Sequence, residues 1–270
     1  MTRSIYVLAP EGLTGKSVVA LGILDALTRE VESVGVFRPL IAAGEQPDQI
    51  LSTLVHQPVV HEDYDEAFGV TYEDVRADAD DALATILQRY NDVASRYDTM
   101  VILGSDYTDN LGAQELQFNA RVAANLNSPI ALAVSAKNRT PEEVTQLARS
   151  TVDLLHKHHA SVIAVIPTRT PEGDQAPYSD AIRAALPDVV VGTLPAHPVL
   201  AAPTIGAQVK AINGRQVAGR TDVMSQESQS VLVAAMTLPN VLSRLEPEST
   251  VISPGDRTEI IPGIILAQRS

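Results

Sequence analysis

The chain has 270 residues, 45% of them hydrophobic and 20% charged, which is enough apolar material for one large domain or two ordinary ones. Its 20 basic and 33 acidic residues give a formal charge of −13, which disfavours nucleic acid and anionic membrane partners because the basic residues do not cluster. It contains no cysteine, which excludes disulfides, thiolate metal sites and cysteine nucleophiles and agrees with a reducing compartment.

Met1-Thr2-Arg3 leads straight into an apolar run, Ile5 to Ala9. Neither a signal-peptide pattern nor the roughly 20 apolar residues that span a bilayer is present, so a cytoplasmic protein is expected. Further β-branched runs predict strands over Val34 to Leu40, Met100 to Leu103, Ile130 to Val134, Val162 to Ile166 and Val189 to Leu194. Their continuous apolar character predicts burial on both faces, as in a parallel sheet. Between them, apolar spacing near 3.6 predicts a helix through Val19, Ala20, Ile23, Leu27 and Val31. Others run from Asp74 to about Arg96, from Leu116 to about Asn127, and from Pro141 to about Lys157. Thr140-Pro141-Glu142-Glu143 is a helix start: a capping threonine, proline in the first turn, then acids at the positive end of the dipole. Strands alternating with helices predict an α/β fold with a doubly wound, mostly parallel sheet.

After Leu194, Pro195, Pro198 and Pro203 read as a linker. A larger domain over 1–200 and a smaller α/β unit over 201–270 are expected. In the smaller unit, Gln208 to Ile212 is strand-like, Asn213-Gly214 is a turn, and Val231 to Leu245 is helical. A strand over Thr250 to Ser253 and a last helix after Asp256 follow. One or two strands cannot bury both faces of a sheet, so this unit is expected to be incomplete, through truncation or because a partner subunit completes it.

The segment with the most chemistry joins the first strand to the first helix: Ala9-Pro10-Glu11-Gly12-Leu13-Thr14-Gly15-Lys16-Ser17. Glycines let backbone N–H groups turn toward an anion, and the helix N-terminus adds positive partial charge. A lysine there reaches phosphate oxygens, and a serine hydroxyl can bind Mg²⁺. Pro10 stands where a strict P-loop has glycine and supplies no N–H. The order of strand, glycine-bearing loop, Gly-Lys-Ser and helix predicts a fold of the P-loop NTPase type. Glu11, Gly12, Thr14, Gly15, Lys16 and Ser17 are the candidate phosphate or nucleotide site, for ATP or another nucleotide with Mg²⁺, and Ser17 is the candidate metal ligand.

Other clusters fit structural roles. His156, His158 and His159 with Lys157 sit at a helix end where positive charge complements the dipole, and their offsets do not suit a metal. Glu62, Asp63, Asp65 and Glu66, with Asp78, Asp80 and Asp81, lack the glycine spacing of a calcium loop and read as solvated surface. Ser105, Ser135 and Ser179 lack a Gly-x-Ser-x-Gly context, so a serine hydrolase is unsupported. Asp256 and Arg257 read as a local pair or cap.

The loop, with Glu11 five residues before Lys16, resembles that of dethiobiotin synthetase. Gly35-Val36-Phe37-Arg38-Pro39-Leu40 and Tyr97-Asp98-Thr99-Met100-Val101-Ile102-Leu103-Gly104 resemble two further strands of that enzyme. Arg38 replaces a lysine of that family, and the resemblance makes it a further phosphate-binding candidate with a different fork geometry. Leu103 replaces a metal-binding glutamate, and a leucine cannot ligate Mg²⁺. Asp106, Asp48 and Glu45 are the substitute acids. These departures count against an ATP-driven ring closure, leaving a synthetase or a vestigial P-loop scaffold as alternative readings.

Val233 to Leu242 followed by Thr250-Val251-Ile252-Ser253-Pro254-Gly255-Asp256-Arg257-Thr258-Glu259-Ile260 is similar to the start of a DRTGG domain. A synthetase-like P-loop domain followed by a DRTGG domain resembles the N-terminal region of long-form phosphate acetyltransferases. That family interconverts acetyl-CoA and phosphate with acetyl phosphate and CoA in a separate C-terminal domain. The resemblance implies a regulatory and assembly region without catalytic residues of its own. Its partners are then a small-molecule effector, its own C-terminal catalytic domain and, in a homo-oligomer, further copies of itself.

Overall fold

The computed structural model describes residues 2–44, 47–105 and 113–267, and the chain falls into two units, Met1–Pro195 and Ala196–Ser270. In the first, the elements run β1 (Arg3–Leu8), α1 (Lys16–Leu27), β2 (Val34–Ile41), α2 (Gln49–Val55), β3 (Phe68–Thr71), α3 (Tyr72–Ala77) and α4 (Ala79–Ala94). They continue with β4 (Thr99–Leu103), α5 (Ala113–Asn125), β5 (Ile130–Ser135), α6 (Pro141–Lys157), β6 (Val162–Thr170), α7 (Ala176–Ala185), β7 (Val190–Val191) and β8 (Leu194–Pro195). The strand order is β3-β2-β4-β1-β5-β6-β7, with β8 also paired to β6. Every pairing in this sheet is parallel.

Side chains alternate across β1, and each face has its own core. Tyr6 and Leu8 join Met100, Ile102, Ile130 and Leu132 beneath α4, α5 and α6, which contribute Ile86, Val122, Val144 and Leu155. Val7 and Ala9 join Val101 and Leu103 beneath Val19, Ala20 and Leu24 of α1 and Leu51 and Leu54 of α2. The sheet is therefore doubly wound, as the apolar strands predict.

Local signals set the helix ends. Thr140 and Glu143 form the expected capping box, with Glu143 N–H donating to the Thr140 hydroxyl at 3.3 Å and Thr140 N–H to Glu143 Oε2 at 2.8 Å. The helix expected from Asp74 to Arg96 is instead two. Asp78 adopts extended backbone, ends α3, and accepts from Asp80 and Asp81 N–H at 3.0 and 3.1 Å to start α4. The strand expected over Val189 to Leu194 is likewise split into β7 and β8. His156 and Lys157 lie in the last turn of α6, as the dipole reading requires.

The second unit contains α8 (Pro198–Ala201), α9 (Ile205–Ala211), a 3₁₀ turn (Thr221–Ser225), β9 (Ser230–Val233), α10 (Leu238–Leu242), β10 (Ser249–Ile252) and α11 (Ile260–Ala267). β9 and β10 pair in parallel from Ser230↔Ser249 to Val233↔Ile252. Ala234, Val241 and Ile260 form its buried centre. Three expectations are corrected here. Gln208 to Ile212 is not a strand: Thr204 caps α9 by accepting from Ala207 N–H at 3.1 Å, and Gln208 N–H bonds Thr204 O at 3.0 Å. Val231 to Leu245 is not one helix, because its first residues pair with β10 and α10 starts only at Leu238-Pro239. Arg257 pairs with Glu259 at 3.5 Å rather than with Asp256.

One acid of the presumed solvated run is buried. Glu62 is 8% exposed, and its Oε1 accepts from Val36 N–H at 2.7 Å. β3 meets β2 only from Arg38 onward, so the Glu62 carboxylate takes the place of a strand partner along the earlier part of β2. The close approach requires Gly35, where a Cβ would stand 2.5 Å from Glu62 Oε1 and 2.7 Å from the Tyr97 ring. Burial raises the Glu62 carboxyl from 4.5 to about 7, against the opposing Val36 hydrogen bond. Its folded pKa lies above the unfolded value, so the native state holds a proton that the unfolded chain releases. Stability from this group is present below about pH 4.5 and lost as pH rises through about 7. Glu62→Gln keeps an oxygen for Val36 N–H and should abolish up to about 3 kcal/mol of that decline. Urea unfolding at pH 5 and pH 8 checks this, and an unchanged pH dependence in the variant would contradict it.

Candidate functional site

In the sheet order, β2, β3 and β4 lie to one side of β1 and β5, β6 and β7 to the other. The chain therefore changes direction about β1, and ligands of open α/β sheets bind at the carboxyl ends of strands at such a point. The segment leaving β1 there is the predicted phosphate loop.

Gly15 makes the turn from loop to helix. Its φ of 83° and ψ of 19° are left-handed, a conformation glycine adopts without the Cβ penalty of other residues. Its carbonyl accepts from Val18 and Val19 N–H at 3.1 and 3.3 Å. α1 therefore begins at Lys16 with its positive end on the loop. Lys16 is 5% exposed and Thr14 1% exposed. The Thr14 hydroxyl has no hydrogen-bond partner, and a buried polar atom in that state is costly unless something completes it. Leu13 also has positive φ, 56°, and its side chain stands in solvent.

Two contacts fix the loop from the far side of β1. Thr168, on β6, donates its hydroxyl to the Thr14 carbonyl. Arg139, between β5 and α6, grips the Glu11 carboxylate with both terminal nitrogens, Nη2 reaching Oε2 at 2.9 Å. Glu11 in turn holds the Arg139 guanidinium above its ordinary range. Arg139 also donates to Ser135 O at 3.1 Å, and its own carbonyl accepts from the Tyr178 hydroxyl at 2.9 Å. Neither residue stands out in the sequence: Arg139 follows its strand in an ordinary Asn-Arg-Thr turn, and Thr168 is one of two threonines on β6.

The structure places the sequence candidates unequally. Gly12, Thr14, Gly15, Lys16 and Ser17 share the turn and the helix start. Glu11 shares the loop, but its carboxylate is committed to Arg139. Arg38 lies on β2, separated from β1 by β4; it is 1% exposed and pairs with Asp48 at 3.2 Å. Asp48 also caps α2, accepting from Leu51 N–H at 2.8 Å. Leu103, opposite Val7 in the pairing of β1 and β4, is fully buried. Asp106 and Glu45 lie outside the described residues. Among the described residues no group of three His, Asp or Glu side chains is arranged to hold a metal ion, and no helix is long and apolar enough to cross a membrane.

Residues 3–204 match the family model of an AAA domain, and residues 208–270 match that of a DRTGG domain. The chain belongs to the AAA-domain family. Among curated proteins, the phosphate acetyltransferase of Synechocystis sp. is 29% identical over 285 residues, covering 100% of this chain and 40% of that protein. The phosphate acetyltransferase of Nitratidesulfovibrio vulgaris is 27% identical over 276 residues, covering 97% and 39%. The chain thus spans about two-fifths of these relatives' length, their N-terminal part. Solved structures similar to it include apo McdA of Cyanthece, with TM-score 0.49 and 11% identity over 74% of this chain and 88% of that one. A ParA family ATPase from Chlorobium tepidum has TM-score 0.47 and 12% identity over 80% and 95%.

The Thr168 contact is the most direct test of how the loop is held. Thr168→Val keeps the shape but leaves the buried Thr14 carbonyl without its donor, and should cost about 1–3 kcal/mol. Thr168→Ser should recover most of it. Denaturant unfolding of the pair decides, and equal stability of Val and wild type would show that the contact does not hold the loop.

Proposed function

We propose that this chain is the regulatory and assembly region of a phosphate acetyltransferase, with a P-loop domain over 1–200 and the beginning of a DRTGG-type domain over 201–270. The P-loop binds a nucleotide or another phosphate-bearing effector. The observation that carries this reading is the joint one: AAA-domain and DRTGG matches in a chain that is similar along its length to phosphate acetyltransferases, with Gly15-Lys16-Ser17 at the carboxyl end of the central strand.

In this reading Gly12, Thr14, Gly15, Lys16 and Ser17 form the anion cradle, through backbone N–H groups, two hydroxyls and one ammonium. Glu11 shapes the loop through Arg139. Arg38 stiffens the neighbouring edge through Asp48, and reaches a ligand only if that pair opens. The acetyl transfer itself belongs to a further domain of the whole protein, which also assembles into a homo-oligomer.

Calorimetric titration with ATP, GDP and inorganic phosphate should show binding of at least one, lost in Lys16→Ala. If no ligand binds in a Lys16-dependent way, the loop is a scaffold and this reading fails. Mixed with acetyl-CoA and phosphate, the isolated chain should form no acetyl phosphate. Robust formation would overturn the assignment of catalysis to another domain.

A further inference from the structure

Arg139 reaches the loop from outside it, and its donors are only partly used. It follows β5, which pairs with β1 through Leu8↔Leu132. The two strands are parallel, so Arg139 and the loop leave the sheet at the same end. A turn holds its backbone there. Arg139 N–H donates to Ala136 O at 3.1 Å, its carbonyl accepts from the Tyr178 hydroxyl at 2.9 Å, and Thr140 beside it caps α6. The side chain thus stands on a rigid support, yet it is 31% exposed. A guanidinium carries five N–H donors in a planar fork. Three of them go to the two Glu11 carboxylate oxygens and to Ser135 O. The other two have no acceptor among the described residues.

Glu11 gives the fork its place. A carboxylate in a loop that takes an anion repels that anion unless a cation neutralises it. Arg139 engages both Glu11 oxygens, and a bidentate pair of this kind fixes orientation as well as charge. The contact that neutralises Glu11 therefore also holds the guanidinium against the residue before Gly12. Planar forks of this kind suit phosphate oxygens, and a fork already held in place loses little freedom on gaining one more acceptor.

We propose that Arg139 is a further phosphate-contacting residue of this site, donating its remaining N–H groups to a ligand oxygen, and that Glu11 is the positioning residue that aims it. This rests on the reading of the loop as a phosphate site, and the experiment separates the two. The full chain, Arg139→Lys, Glu11→Gln and Lys16→Ala are titrated with inorganic phosphate and with ATP in MgCl₂. In ¹⁵N-labelled protein the guanidinium N–H signals are followed, the Arg139 signal being the one missing from Arg139→Lys. For a ligand that binds in a Lys16-dependent way, Arg139→Lys should weaken binding by about tenfold or more, the worth of a hydrogen bond to a charged group. Glu11→Gln should weaken it by about threefold or more. The Arg139 signal should move downfield at saturation, as a donor that gains an oxygen acceptor does; an arginine that only braces the loop keeps its signal. Lys16-dependent binding that Arg139→Lys leaves unchanged, or an Arg139 signal that stays in place at saturation, would overturn the proposal and leave the phosphate site intact. Tighter binding by Glu11→Gln would overturn the positioning role, because the carboxylate would then be competing with the ligand for Arg139. Absence of Lys16-dependent binding of either ligand would overturn both readings.

Discussion

The fold depends on β1 being hydrogen-bonded on both edges, to β4 through Val7↔Leu103 and to β5 through Leu8↔Leu132. A parallel strand buried on both faces and both edges has no freedom to slip, because a one-residue shift would exchange its two cores. Tyr6 and Leu8 commit it to one, Val7 and Ala9 to the other. The carboxyl end of β1 is therefore fixed, and the loop that leaves it inherits that rigidity. Gly15 then needs only one left-handed residue to aim the amino end of α1 at the same spot.

Rigidity continues past the strand. Thr168 and Arg139 reach the loop from beyond β5 and between β5 and α6, so the cradle is tied to the half of the sheet opposite β2 and β3. On that other half, Arg38 and Asp48 form a nearly buried pair. Such a pair is costly to leave half-made, and its value is in holding one arrangement rather than in net stability. A ligand that binds a loop braced in this way loses little affinity to ordering the loop.

Much of the first unit is legible in the sequence because its cues are local or continuous. Short apolar runs such as Ile130 to Val134, alternating with helical patterns, read as buried strands, and Thr140-Pro141-Glu142-Glu143 states its helix start outright. The Gly-Lys-Ser turn is legible for the same reason, as adjacent residues acting on one another. The second unit is harder. Val231-Leu232-Val233-Ala234-Ala235-Met236 suits either a period of 2 or of 3.6, and the choice is made by pairing with Ser249–Ile252, which lies outside any local window. Gln208 to Ile212 has the same ambiguity, resolved by the cap at Thr204. Glu62 was illegible for a third reason. An acid in an acidic run reads as surface, and only the absence of β3 beside Val36 creates the vacancy that its carboxylate fills.

Leu103 joins these strands together. At the carboxyl end of β4 it faces the helix that carries the phosphate loop, and there a side chain can serve the chemistry or the core, but not both. A carboxylate in that place would need a metal or several donors to offset its desolvation. A fully buried leucine instead contributes about 1.5–3 kcal/mol of apolar burial and seals α1 against the sheet. Leu103 thereby strengthens the frame beneath the loop and itself supplies no oxygen for a metal ion. Lys16, Gly15 and Thr14 do not depend on that acid for their geometry, since β1, Thr168 and the left-handed turn hold them. The geometry of the loop and the presence of an acid at this position of β4 are therefore separable in this fold.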